Sequence, residues 1–243
     1  MADPAPPQED LDDAVRRSDP DRWLASRFIG DTARRADVMA LYAFDHVLGR
    51  VPHQVSEPLM GEIRLTWWSE ALDEIYGSGP VRAHPAALAL ADAARRRGLA
   101  RAPLDALVEA RFGDLDPQPF GNAEAAVIYA DQTAGALVQA AVQALGGPAN
   151  AQAAKLAGRA YGLAFLAHRR AIGGKTRLPE QLDVRPLVED ALHQARPGLK
   201  TLPMEAFPAI AYAALARRYA SGGRLTGLEK QLRLVIAVAR GGI

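Results

Sequence analysis

Glycine and proline cut this chain into helix-length pieces, and no piece carries the period-2 alternation of a half-buried strand. Breaks fall at Gly49 and Pro52, at Gly77-Ser78-Gly79-Pro80, at Gly98, at Gly146-Gly147-Pro148 and at Gly173-Gly174. Between them apolar residues recur at helical spacing, as in Ile63, Trp67, Ala71 and Ile75. Alanine, leucine and arginine dominate, and these residues lose little on entering a helix. The pattern predicts helices over about 32–48, 58–76, 84–98, 103 onward, 123–145, 150–172, 186–194, 203–220 and 226–240. With no internal repeat, the expected fold is all-α: a multi-helix bundle in a single domain over 19–243. Residues 1–18 are expected to form a disordered acidic tail.

Composition narrows the chemistry. Cysteine is absent, so disulfides, thiolate zinc sites and thiol nucleophiles are excluded. The formal net charge is +1, but it is unevenly placed. Seven acids lie in 1–21, and eight Lys/Arg face only Glu205 and Glu229 from Arg196 onward. Interleaved aromatics are missing from that basic region, so no nucleic-acid partner is expected. The acidic, Pro-rich opening residues differ from a targeting peptide, and the long uncharged stretch is interrupted by Gly146-Gly147-Pro148. The expectation is a soluble cytoplasmic protein, with peripheral contact to the inner face of the membrane as a further reading. Leu228, Leu232, Val235 and Ala239 form an apolar stripe, expected to pack on the bundle; lying on a membrane is the second reading.

Three stretches taken in order resemble the squalene/phytoene synthase family. They are Leu41-Tyr42-Ala43-Phe44, then Tyr129-Ala130-Asp131-Gln132-Thr133-Ala134-Gly135, then Gly158-Arg159-Ala160-Tyr161 through His168-Arg169 to Leu178-Pro179. Arg64-Leu65-x-Trp67 and His84-Pro85 lie at matching intervals. The resemblance implies an isoprenoid-synthase type of bundle. It also implies a cavity where paired Asp-rich motifs hold Mg²⁺ against an isoprenoid diphosphate.

The metal motifs themselves are degenerate. The first falls on Gly49, Arg50 and His53, and Arg50 would repel a cation. Gly49 and Pro52 are also expected to end the helix that should carry the ligands. The second begins near Arg169, and no Asp or Glu occurs from Gln132 through Pro179. No catalytic residue, metal ligand or cofactor is therefore expected. The runner-up is an active prenyl transferase that binds Mg²⁺ through relocated Asp45, Glu62 and Asp131.

A branch of the family lacks the same acids: the complex I assembly factors of this fold. It is similar in Val55-Ser56-Glu57, in Ile63-Arg64-Leu65-x-Trp67-Trp68 and in Asp73-Glu74-Ile75-Tyr76. That likeness implies a binding or assembly role with respiratory complex I subunits, or an isoprenoid or phospholipid ligand in the old cavity. The pocket candidates are Tyr42, Asp45, Arg64, Tyr129, Asp131, Tyr161, Phe165, His168 and Arg169. For Asp45 and Asp131 an ion pair with an arginine is the simpler expectation. His168, Arg169, Arg170, Lys175 and Arg177 form a basic cluster, read either as a solvated helix end or as an anion contact. His46, His53 and His84 do not converge on a zinc site. Gly158 and Gly162, one turn apart, are expected to permit close helix packing.

Overall fold

The computed structural model describes residues 11–148 and 151–243. Local chemistry starts most helices. Asp19 accepts the Arg22 N–H and Pro20 takes the first position of α2 (Pro20–Ser26). Asp31 caps α3 (Thr32–Arg50). The Nδ1 of His84 accepts the Ala86 N–H to open α5 (Pro85–Arg97), which Gly98 closes in the left-handed region. Thr226 and Glu229 form a capping box at α12 (Gly227–Arg240). The remaining helices are α1 (Leu11–Ser18), α4 (Pro58–Tyr76), α6 (Ala102–Gly113), α7 (Ala123–Ala130), α8 (Ala136–Ala144), α9 (Gln152–Ala171), α10 (Arg185–Leu199) and α11 (Ala216–Ala220). The all-α bundle expected from the sequence is what forms among the described residues.

α8 lies at the centre and packs against α3, α6 and α9. Leu137, Val138, Ala140, Ala141, Val142 and Ala144 are all buried, so it is apolar around most of its circumference. That explains why the sequence is uncharged there. α9 packs on α10, α11 and α7. Its contact with the turn joining α7 to α8 is very close, and that turn is a π-helical segment, Asp131–Gly135. A Cβ on Gly158 would lie 2.5 Å from the Ala134 carbonyl oxygen, and one on Gly162 2.9 Å from Ala134 Cβ. The close packing expected of this glycine pair is realised.

Four expectations need correction. Within the expected tail, residues 11–18 form α1, which buries Ala14 and Val15 against the bundle; residues 1–10 lie outside the described residues. Gly49 does not end α3, which runs to Arg50 before a 3-10 turn, Val51–His53. A glycine late in a buried helix is tolerated when neighbours hold the backbone. The helix expected over 203–220 is two 3-10 segments, Met204–Ala209 and Ala211–Leu215, followed by α11. Pro208 removes a backbone donor there. Finally, Leu228, Leu232 and Val235 do not pack on the bundle; α12 turns Leu234 and Ala237 inward instead.

Candidate functional site

One turn before the first degenerate motif, the bundle holds a network of buried charges. Asp45, one turn before Gly49 on α3, accepts from Arg111 of α6 at 2.7 Å and from Arg22 of α2 at 3.1 Å. Arg22 also donates to Asp19 at 2.8 Å. Arg111 donates to Asp114 at 3.0 Å and to the Tyr129 hydroxyl at 2.8 Å. Tyr129 in turn donates to Asp114 at 2.8 Å. Arg177 stands 3.8 Å from Asp114, so three carboxylates meet three guanidinium groups.

Burial works against the Asp45 carboxylate, but Arg111 and then Arg22 outweigh it and hold its pKa below the usual value. For Asp19 burial wins and the pKa rises. Arg22 further lies among the rings of Tyr42, Tyr161 and Tyr212, 5.3–5.9 Å from their centroids. The Nε atoms of Arg22 and Arg111 are buried without a hydrogen-bond partner among the described residues.

A second buried cluster adjoins it through Tyr161. Asp21 accepts from Tyr219 at 2.6 Å, from Tyr161 at 3.1 Å and from Lys230 at 2.7 Å. Phe165 stacks on Tyr161, and His168 stacks on Tyr219. Burial, and then the charge of Lys230, lowers the His168 pKa.

Among the sequence candidates, Tyr42, Asp45, Tyr129 and Tyr161 therefore gather around the two buried arginines, with Phe165 and His168 one layer out. The others stand apart. Asp131 is closed off by a two-bond pair with Arg159 at 2.6 and 2.7 Å. Arg64 is exposed on α4, and Arg169 lies in the last turn of α9. Arg170 donates to the Pro179 and Leu182 carbonyls, and Arg177 donates to the Gln118 carbonyl, so both hold the loop after α9.

The donor set does not fit magnesium. Gly49 and Arg50 end α3, His53 lies in the 3-10 turn after it and Arg169 in the last turn of α9, and no carboxylate stands at any of these positions. Asp45, Glu62 and Asp131 do not assemble: no group of three or more His, Asp or Glu side chains able to hold a metal ion exists among the described residues. A Cβ at position 49 would sit 3.8 Å from Arg111 Nη2, so the guanidinium occupies the direction a ligand there would take.

Sequence reasoning expected an arginine partner for Asp45 but did not find Arg22, Arg111, Asp114 or the Asp21 cluster. The available signal was a cation inside an apolar helical run, Leu107-Val108-x-Ala110-Arg111.

A groove of about 450 Å³ opens on the outside, between the end of α3, the turn after it and α4. Arg50, Gln54, Ile63, Arg64, Trp67 and Trp68 line it, with His84 beside the tryptophans. The Trp68 ring stands edge-on to His84 at 4.9 Å and to Trp67 at 4.8 Å. With its amide oxygen turned toward Arg50, Gln54 accepts at 2.7 and 3.1 Å. Neither Arg50 nor Arg64 has a carboxylate partner among the described residues.

An all-helical bundle with its ordered motifs around a central polar site is the isoprenoid-synthase architecture. Residues 15–168, more than half of the chain, match the family model for squalene/phytoene synthase, and the chain belongs to that family. Two solved structures carry the same fold. A dehydrosqualene synthase in complex with ligand aligns with a TM-score of 0.70 at 16% identity, covering 95% of this chain and 94% of that one. Squalene synthase HpnC from Alicyclobacillus acidocaldarius gives 0.66 at 14% identity, over 95% and 92%. By sequence, the chain is similar to NADH dehydrogenase (ubiquinone) complex I, assembly factor 6. The human protein is 28% identical over 225 residues, 80% of this chain and 67% of that one. The Bos taurus protein is 29% identical over 132 residues, 54% of this chain and 39% of that one. The match thus spans well under half of the bovine relative's length.

Proposed function

We propose that this chain is a non-catalytic member of the family, acting by binding as an assembly factor for NADH:ubiquinone oxidoreductase. The observation that carries the reading is the Asp45–Arg111 pair. It commits the carboxylate nearest the degenerate first motif to a salt bridge internal to the protein, beside motif positions that offer glycine, arginine and histidine. An allylic diphosphate leaves only when its developing charge is neutralised, and the carboxylates here are already committed to arginines. The named relatives support an assembly role. On this reading the chain works in the cytoplasm, at the inner face of the membrane.

With the interior occupied, binding falls to the surface. The groove between α3 and α4 offers two cations without acids and an aromatic floor, which suits a partner segment presenting a carboxylate beside an apolar side chain. It also contains the Ile63-Arg64-Leu65-x-Trp67-Trp68 run that resembles the assembly-factor branch.

Purified protein with Mg²⁺ and farnesyl or geranylgeranyl diphosphate should release no pyrophosphate above the protein-free control; Mg²⁺-dependent release overturns the non-catalytic reading. Removing the gene from its native cell should lower the amount of assembled complex I. The wild-type gene should restore it, and Arg50→Glu/Arg64→Glu should not. Unchanged complex I in the deletion strain refutes the assembly role.

A further inference from the structure

The helix α12 has two apolar faces. Leu234 and Ala237 face the bundle, meeting α2 and the second 3-10 segment. On nearly the opposite side, Leu228, Leu232, Val235 and Ile236 are 76, 58, 47 and 40% exposed. At 3.6 residues per turn these four, with Ala239, form a stripe about 100° wide. Lys230 fixes which face looks out. Its ammonium reaches inward to Asp21 at 2.7 Å and lies 5.6 Å from the Tyr219 ring centroid. The outward stripe is therefore held in place by a buried ion pair.

The charge around this stripe is predominantly positive, with Glu229 the one acid on α12, interacting with Arg218 and Arg233. From Ala216 to Ile243 the sequence holds Arg217, Arg218, Arg224, Lys230, Arg233 and Arg240 against Glu229 alone. Arg217 pairs with Glu189, and Lys230 with Asp21. The other four arginines have no carboxylate within ion-pair distance among the described residues. Arg233 and Arg240 lie three before and four after Ile236, at the edge of the stripe.

We infer that α12 is a docking surface for an anionic lipid bilayer, its leucines entering the headgroup boundary and its arginines meeting lipid phosphates. A second copy of the chain fits less well. The stripe offers on the order of 400 Å², about half of what each partner gives a stable dimer, and pairing it with itself would gather the arginines of both copies. A bilayer needs only the apolar stripe and the surrounding cations, because the two attractions add.

Co-sedimentation of the full chain with phosphatidylcholine vesicles, with and without phosphatidylglycerol, tests this inference. Binding should require phosphatidylglycerol and weaken at high salt. Leu228→Ser/Leu232→Ser should lower partitioning at least about tenfold while leaving the melting temperature unchanged, since both side chains are already in water. Arg233→Gln/Arg240→Gln should weaken binding and reduce its salt dependence. Leu88→Ser, at an exposed position of α5, should bind as wild type. Absence of binding to phosphatidylglycerol vesicles overturns the inference, as does equal binding by the leucine variant. So does a dimer in light scattering that the leucine variant dissolves, which would make a second copy the occupant. The inference is independent of the assembly role, because vesicle binding requires no complex I subunit.

Discussion

Replacing Arg111 by methionine removes the cation that joins the two halves of the buried network. Asp45 loses its 2.7 Å bond and keeps Arg22 at 3.1 Å. Asp114 loses its 3.0 Å bond and keeps the Tyr129 hydroxyl, with Arg177 at 3.8 Å. Three carboxylates then face two guanidinium groups. Removing one partner of a buried ion pair costs about 3–5 kcal/mol, a large fraction of the roughly 5–15 kcal/mol that holds a folded domain together. Urea unfolding at pH 7 should show that loss. Arg111→Met/Asp45→Asn should be less destabilised than the sum of its single variants, by about 1–3 kcal/mol.

The pH dependence has a definite sign. In the wild type the Asp45 pKa is lower in the folded state than in the unfolded chain, where a carboxyl titrates near about 3.9. The unfolded chain thus binds the proton first as pH falls. The contribution of Asp45 is present above that value and is lost as pH drops through the folded pKa. Arg111→Met weakens this preference, so its deficit relative to wild type should shrink as the pH falls below about 4. A loss below about 1 kcal/mol at pH 7, within the range of exposed pairs, or strict additivity in the double variant would refute the argument.

Two other substitutions probe the scaffold. Gly158→Ala forces a methyl group to within 2.5 Å of the Ala134 carbonyl and 2.7 Å of Gly135 Cα. It should destabilise by about 2–3 kcal/mol in thermal or urea unfolding; a neutral result would mean that the crossing of α9 over the π segment is loose. Gly49→Asp/Arg50→Asp/His53→Asp restores the first acidic motif in sequence only. Arg111 stands 3.8 Å from the position of the new Cβ, so it should capture the position-49 carboxylate. Calorimetric titration should show no saturable Mg²⁺ binding, and a saturable isotherm would contradict this.

Helix placement was legible because glycine and proline act locally. Gly98 in the left-handed region and Pro85 at a first helical position do the same thing in any fold. The 3-10 course of 204–215 was missed although Pro208 inside the run argues against a continuous helix; the burial of Phe207, Ile210 and Tyr212 that goes with it is tertiary. In the site, the absence of acids at 49, 50, 53 and 169 was plain from the sequence. What replaced them was not. Asp45 meets an arginine 66 positions away, and no helical period encodes a partner on another helix. α12 shows the same boundary: its spacing reveals apolar stripes, but only the reach of Lys230 to Asp21 decides which one faces inward.

That Asp21–Lys230 contact spans 209 positions, and the Tyr219 bond to the same carboxylate spans 198. A ribosome emits α2 long before either partner exists. Until they emerge, the nascent bundle keeps an acid in a site built to surround it. Closure of this cluster must therefore await the synthesis of Tyr219 and Lys230, well after α2 has emerged.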